Sequence, residues 1–224
     1  MTLPIEDYAL IGDCRTAALV GTDGSIDWLC CPRFDSEACF AALLGTPENG
    51  RWLIAPADPN AKVTRRYRPD TLILETRYET ATGTATLIDF MYPREEHPNV
   101  VRLVVANSGM VDFEMEFIVR FGYGQEVPWV TTLPDRRLSA IAGPSKLILQ
   151  STIDVRGEDF KTVGSFTVNE GETVSFALTY GASFLPNPPE VDWKNLLSKT
   201  EKFWKDWSST CDVQGPYTDA VRRS

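Results

Sequence analysis

Val111-Asp112-Phe113-Glu114-Met115-Glu116-Phe117-Ile118-Val119-Arg120-Phe121 alternates apolar and polar residues almost without interruption. Val111, Phe113, Met115, Phe117, Val119 and Phe121 fall on one side and Asp112, Glu114, Glu116 and Arg120 on the other, the period of two of a strand with one dry and one wet face. Such a strand has to be covered by a second layer. Shorter β-favouring runs surround it: 51–56, 63–68, 72–78, 85–92, 100–106, 136–143, 146–152, 160–168 and 173–180. Turn signals separate them at 57–60, at Thr82-Gly83, at Asn107-Ser108-Gly109, and at Asn169-Glu170-Gly171-Glu172, which reads as a hairpin turn. The expected class is mainly β, a large antiparallel β-sandwich with a short internal helix and a carboxy-terminal linker helix. Glu114 and Glu116 lie ~7 Å apart on one strand face, within the span of paired glycosidic carboxylates. Alternation alone accounts for both as a solvated face.

The amino-terminal part reads as a hairpin. Ala17 to Val20 and Ser25 to Cys30 flank the turn Gly21-Thr22-Asp23-Gly24. Pro32, lacking an amide donor, ends the pairing and forces Arg33-Phe34-Asp35 out as a loop that sets a cation, a ring and a carboxylate side by side. Asp35 or Ser36 is placed to cap a short helix through Phe40, Leu43 and Leu44 that Gly45 ends. Strand alternation places Trp28 in the core and Asp27 on the solvent face or in a turn contact. Trp129, in the loop 125–134, is expected to pack onto its own domain.

Charge and cysteine content narrow the function. A net charge of −9 with scattered Lys and Arg lacks the electrostatic footprint of nucleic-acid binding. No apolar run approaches the ~20 residues of a membrane span, and no signal pattern opens the chain, so the expected location is cytoplasmic. Cys14, Cys30, Cys31, Cys39 and Cys211 show no metal-type spacing and read as buried or half-buried free thiols. The single histidine, His97, lies in the turn-like segment Arg94 to Asn99 and is expected in a solvated loop. With one histidine and no serine in a nucleophile-elbow setting, a His-dependent triad has little support. No metal and no cofactor are expected.

Beyond Pro186-Asn187-Pro188-Pro189 the pattern becomes helical. Asp192 is placed to cap, and Trp193, Leu196, Leu197, Thr200, Phe203, Trp204 and Trp207 recur at three and four. Rings burying ~150–250 Å² each need a partner surface, either this domain's own sheet or a neighbouring domain. After Gly215-Pro216, residues 217–224 read as the opening of a further helix, so the chain is expected to continue past Ser224. The expected divisions are 1–190 for the sandwich, 191–210 for the linker helix and 211–224 for the start of a helical domain.

The run Ile11-Gly12-Asp13-Cys14-Arg15-Thr16-Ala17-Ala18-Leu19-Val20-Gly21-Thr22-Asp23-Gly24-Ser25-Ile26-Asp27-Trp28-Leu29-Cys30, followed by Pro32-Arg33-Phe34-Asp35-Ser36, resembles the amino-terminal domain of prokaryotic glucoamylases and trehalases of glycoside hydrolase family 15. The likeness is dense from Ile5 to about Pro56 and looser to about Gly181. It implies an inverting hydrolase of α-glucosidic bonds whose two catalytic glutamates lie in an (α/α)6 barrel beyond Ser224, so no catalytic residue is expected here. Its implied partners are that barrel and, through the whole enzyme, an α-glucan or α-glucoside. Arg33, Phe34 and Asp35 are the candidate substrate-binding residues, the loop reaching the barrel mouth, against the alternative of an ion pair with Phe34 in the core. Trp193, Leu197, Phe203, Trp204 and Trp207 are the candidate packing residues. Two other readings stay open: a free-standing carbohydrate-binding sandwich, and a structural or homo-oligomer-forming domain.

Overall fold

The computed structural model describes residues 3–93 and 96–223. One sheet takes β1 (Tyr8–Gly12), β2 (Ala17–Gly21), β3 (Ser25–Cys30), β4 (Ala38–Phe40) and β5 (Arg51–Pro56), and the other β6 (Lys62–Tyr67), β7 (Leu74–Glu79) and β8 (Gly83–Met91). β9 (Asn99–Ile118) belongs to both. The chain then adds β10 (Trp129–Thr132), β11 (Leu138–Ala142) and β12 (Ser145–Ser151) to the second sheet, β13 (Arg156–Glu158) and β14 (Lys161–Asn169) to the first, and β15 (Thr173–Ala182) to the second. The named strand pairings are antiparallel and the architecture is mainly β, as the alternation requires.

Asn107-Ser108-Gly109 is not a turn. The ladder between β8 and β9 passes from Thr84↔Ser108 to Ala85↔Ala106, leaving Asn107 as the extra residue of a bulge. Gly109, at φ +62°, follows it. A bulge next to a left-handed glycine bends a strand without ending it, and β9 uses the bend to pass from one layer to the other. Its residues 99–105 pair with β15 and 110–117 with β14. The Asn169–Glu172 turn is therefore no hairpin: β14 and β15 pair with β9, not with each other.

The inward faces meet in an aromatic core. Trp52 meets the edge of Phe117 with centroids 5.6 Å apart, and Phe113 stacks on Phe166 at 5.5 Å. Between the layers lies an ion pair with no counterpart in the sequence pattern. Asp89 and Arg102 sit opposite one another on β8 and β9, both with 0% side-chain exposure. The guanidinium donates from Nε to Asp89 Oδ1 at 2.8 Å and from Nη2 to the Gly24 carbonyl at 2.7 Å, and Nη1 donates to the Trp52 carbonyl. One side chain of the second sheet thereby holds the β2–β3 turn and β5 of the first.

Residues after Asp35 form strand β4 instead of a capped helix, and only Ala42–Leu44 makes a 3-10 turn, with Gly45 at its end. Burial decides this: Ala38, Cys39 and Phe40 are all enclosed, and a strand beside β3 satisfies their backbone. Arg120, expected on the wet face, is buried, its Nη1 donating to the Val119 carbonyl at 2.8 Å and the Phe160 carbonyl at 3.1 Å. His97 is half-buried beside Glu96; Arg94 and Glu95 of its segment lie outside the described residues.

The helix Trp193–Ser208 begins where Asp192 accepts a hydrogen bond from the Asn195 amide at 3.3 Å. Trp193, Leu196 and Leu197 pack on Ile73, Ile88, Phe90, Val101, Leu103 and Ala177 on the outer face of the second sheet. Strands covered on both sides read as unbroken apolar runs, which accounts for Val100-Val101 and Leu103-Val104-Val105 around Arg102. Farther along, Trp204 is buried, while Phe203 and Trp207 meet its ring edge-on and remain exposed.

Candidate functional site

The strand registers collect several connections at one end of the first sheet. Gly12 pairs with Ala17, Ala18 with Leu29, Ile26 with Trp52, Arg51 with Ile118 and Phe117 with Thr162. The turn 13–16, the loop 31–36, the turn 121–125 and the tip of the β13–β14 hairpin therefore project from the same end.

Two of these connections form a built rim. Asp13 Oδ1 accepts from the amides of Arg15 at 2.9 Å and Thr16 at 2.7 Å, an arrangement that holds Cys14 at φ +68° and turns Cys14 and Arg15 outward. Thr16 Oγ1 donates to the Cys30 carbonyl, and the Phe34 amide donates to the Arg15 carbonyl at 3.0 Å, so the turn and the loop brace one another. Cys31–Pro32 is cis. The Arg33 amide donates to Ser36 Oγ at 3.2 Å and the Ser36 amide to the Arg33 carbonyl at 3.1 Å, which closes the loop on itself.

The triplet Arg33, Phe34 and Asp35 is thereby presented to solvent. Arg33 binds Asp35 through Nε at 2.9 Å and Nη2 at 3.1 Å, the fork geometry guanidinium and carboxylate favour. Phe34 is 63% exposed, so it is not a core residue. Cys14, Arg15, Pro32, Arg33 and Phe34 line an open cleft of about 480 Å³. An exposed ring offers a face for the C–H side of a sugar, and the ion pair offers donors and acceptors to its hydroxyls. Asp35 is the one carboxylate of the triplet and is held by the Arg33 fork, so the triplet lacks the pair of carboxyls that glycoside hydrolysis needs. Burial, seconded by the Asp13 charge, raises the Cys14 thiol above its ordinary range, and burial pushes Cys30 up to about 11, the opposite of an activated thiolate.

The carboxylates elsewhere are held in structural roles. Burial works to raise Glu116, but Lys161 at 2.9 Å and Arg51 at 2.7 Å outweigh it and hold the carboxyl below its usual range. A group kept ionised in this way is not a general acid. Asp27 reverses its expected place: β3 pairs Trp28 with Leu19 and Ile26 with Val20, which makes Asp27 the extra residue of a bulge. It is buried and accepts from Tyr8 Oη at 2.6 Å and from Ser25 Oγ, while Trp28 is half-buried against Tyr123. Burial, then the Asp27 carboxylate, raises the Tyr8 phenol. Among the described residues no three His, Cys, Asp or Glu side chains gather as metal ligands, and no disulfide joins the five cysteines, Cys14 being exposed where a covered position was expected. No helix among them is long and apolar enough to cross a membrane.

Sequence reasoning missed two features of this end. Trp129, expected to pack on its own domain, is 77% exposed at the start of β10. Tyr123 is exposed on a turn in which Gly122, Tyr123 and Gly124 all have positive φ. The signal for the latter was the Gly-Tyr-Gly spacing itself, which admits that backbone at two of its three positions without a Cβ penalty.

Comparison with known proteins places the chain. It is 27% identical to a trehalase of Thermoplasma volcanium over 98% of this chain and 36% of that one. To a trehalase of Mycolicibacterium smegmatis it is 28% identical, over 99% of this chain and 37% of that one. It therefore spans little more than a third of the length of these relatives. The fold matches the crystal structure of a bacterial glucoamylase complexed with acarbose with a TM-score of 0.56 at 10% identity, over 88% of this chain and 35% of that one. The family model for the trehalase-like N-terminal domain matches residues 1–185, and the chain belongs to that family.

Proposed function

We propose that this chain is the non-catalytic amino-terminal domain of an inverting α-glucoside hydrolase of the trehalase or glucoamylase type in glycoside hydrolase family 15. In this reading residues 1–190 form the supporting sandwich, 191–210 a linker helix, and 211–224 the start of an (α/α)6 catalytic domain. The rim at Arg33, Phe34 and Asp35 lends a sugar-contacting loop to the active-site mouth, and Phe203, Trp204 and Trp207 continue the packing begun by Trp193 and Leu197. The supporting observation is extent: the family match covers residues 1–185, and trehalases aligned over nearly the whole chain have almost two thirds of their own length outside the alignment. Five cysteines without a disulfide suit a reducing cytoplasm.

Glycoside hydrolysis needs two carboxyls flanking the scissile oxygen, ~6.5–9.5 Å apart for inversion, one of them with a raised pKa. Glu116, committed to Arg51 and Lys161, does not serve as that acid. The chain alone is expected to release no glucose from trehalose or maltose in a coupled glucose assay, and measurable turnover overturns the reading. In an enzyme carrying this domain on its catalytic barrel, Arg33→Ala or Phe34→Ala is expected to raise KM or lower kcat with little change in Tm. Unchanged kinetics remove the loop from the active-site mouth.

A further inference from the structure

A second cleft, of about 790 Å³, opens between β10 at the edge of the second sheet and the β13–β14 hairpin at the edge of the first. It carries two features that the fold does not need. The hairpin pairs Glu158 with Lys161, so Asp159 and Phe160 are its two-residue loop, and both take left-handed backbone, at φ 47° and 60°. That is the conformation for which Asn-Gly is favoured. A residue with a Cβ is disfavoured there, because the Cβ crowds the neighbouring carbonyl oxygen. Phe160 accepts this penalty and leaves its ring 83% exposed, while its carbonyl is pinned by Arg120 Nη1 at 3.1 Å. Trp129 lines the same cleft and is 77% exposed. Backbone strain that presents an uncovered ring, opposed to stability on both counts, is a mark of a binding position.

The chemistry of the walls selects the ligand. The charged residues of the lining, Arg156, Glu158, Asp159 and Lys161, sum to zero, with Arg156 paired to Glu158 at 3.2 Å and Lys161 held by Glu116 of β9 at 2.9 Å. A cleft with cancelled charge complements an uncharged molecule and gives no purchase to a phosphate backbone or an acidic peptide. Two open rings offer stacking faces, and the exposed Thr131 on the lining offers a hydroxyl. Flat apolar faces edged with hydroxyls are the two sides of a pyranose. We propose that this cleft binds a neutral oligosaccharide, with sugar rings stacked on Trp129 and Phe160, as a site separate from the Arg33–Asp35 rim. The choice of glucosyl probes rests on the function proposed above; the existence of the cleft does not.

The test is calorimetric titration of the 224-residue chain with maltoheptaose and with trehalose, beside Trp129→Ala and Phe160→Gly. Maltoheptaose is expected to bind, more tightly than trehalose because it spans both rings, and each variant to weaken it about tenfold or more. Phe160→Gly carries a second readout: glycine takes the left-handed backbone freely, so Tm is expected to rise while affinity falls, a pairing that a purely structural ring does not give. No binding heat from the unaltered chain at the solubility limit of maltoheptaose overturns the proposal, as does affinity unchanged in both variants. Neither outcome touches the hydrolase reading, which stands or falls on glucose release.

Discussion

Asp89→Ala is expected to destabilise the sandwich severely. The substitution leaves the Arg102 guanidinium fully buried, with its bonds to the Trp52 and Gly24 carbonyls but without a counter-charge. Stranding one charge of a buried pair costs about 3–5 kcal/mol. For a domain of this size about 1 kcal/mol moves Tm by roughly 2–4 °C, so the midpoint is expected to fall by about 6–20 °C. Burial pushes the Asp89 carboxyl above its ordinary range in spite of Arg102, so keeping Asp89 ionised works against the fold above that range. Removing both charges is then far milder than removing one. In Asp89→Leu/Arg102→Met the lost donors to Trp52 and Gly24 cost about 1 kcal/mol each, and the Gly24 carbonyl keeps its bond from the Ile54 amide. The double variant is thus expected to lie nearer the parent than Asp89→Ala, with a coupling of about 2 kcal/mol or more. Urea unfolding of the parent, Asp89→Leu, Arg102→Met and the double variant, followed by far-ultraviolet circular dichroism, measures the cycle. Single losses that add to the double loss within about 0.5 kcal/mol would falsify the reasoning, because uncoupled sites behave in that way.

Three further predictions rest on separate features. Glu116 has a folded pKa below its unfolded value, so its contribution is present above the ordinary carboxylate range and disappears as pH falls through the depressed value; Glu116→Gln is expected to flatten the acid limb of a Tm-against-pH curve there, and an unchanged limb refutes it. Gly109→Ala drives a methyl group into the Thr82 carbonyl at a left-handed residue, and a loss of about 2 kcal/mol or more in urea unfolding is expected, whereas Gly171→Ala, which meets no atom within 4 Å, is expected to cost clearly less. Asp192→Ala removes the cap of the helix Trp193–Ser208, and a loss of about 0.5–2 kcal/mol is expected, with faster amide exchange confined to its first turn.

Much of the fold was legible because alternation reports burial directly. Val111 to Phe117 announced one covered face, the turn 21–24 announced the first hairpin, and Asp192 with the spacing that follows announced the helix. What escaped has a common cause. A bulge adds one residue and leaves composition unchanged, so Asn107-Ser108-Gly109 carries the letters of a turn while acting as a bend, and Asp27 carries the letter of a surface residue while buried under Tyr8. The Asp89–Arg102 pair was invisible because each charge is explained only by the other, thirteen positions away and across a ladder. The Arg33–Asp35 rim was legible as a loop, since proline dictates it. The exposure of Trp129 was not, because nothing local records that two sheet edges gape beside it.

The passage of β9 from layer to layer has a mechanical consequence. Most sandwiches hold their layers together by side chains alone, so shear between them meets only packing; here sliding one layer over the other means stretching a continuous backbone through its own ladder. The two faces are thereby tied by one strand, so a pull on either is carried along β9 into the ladder of the other.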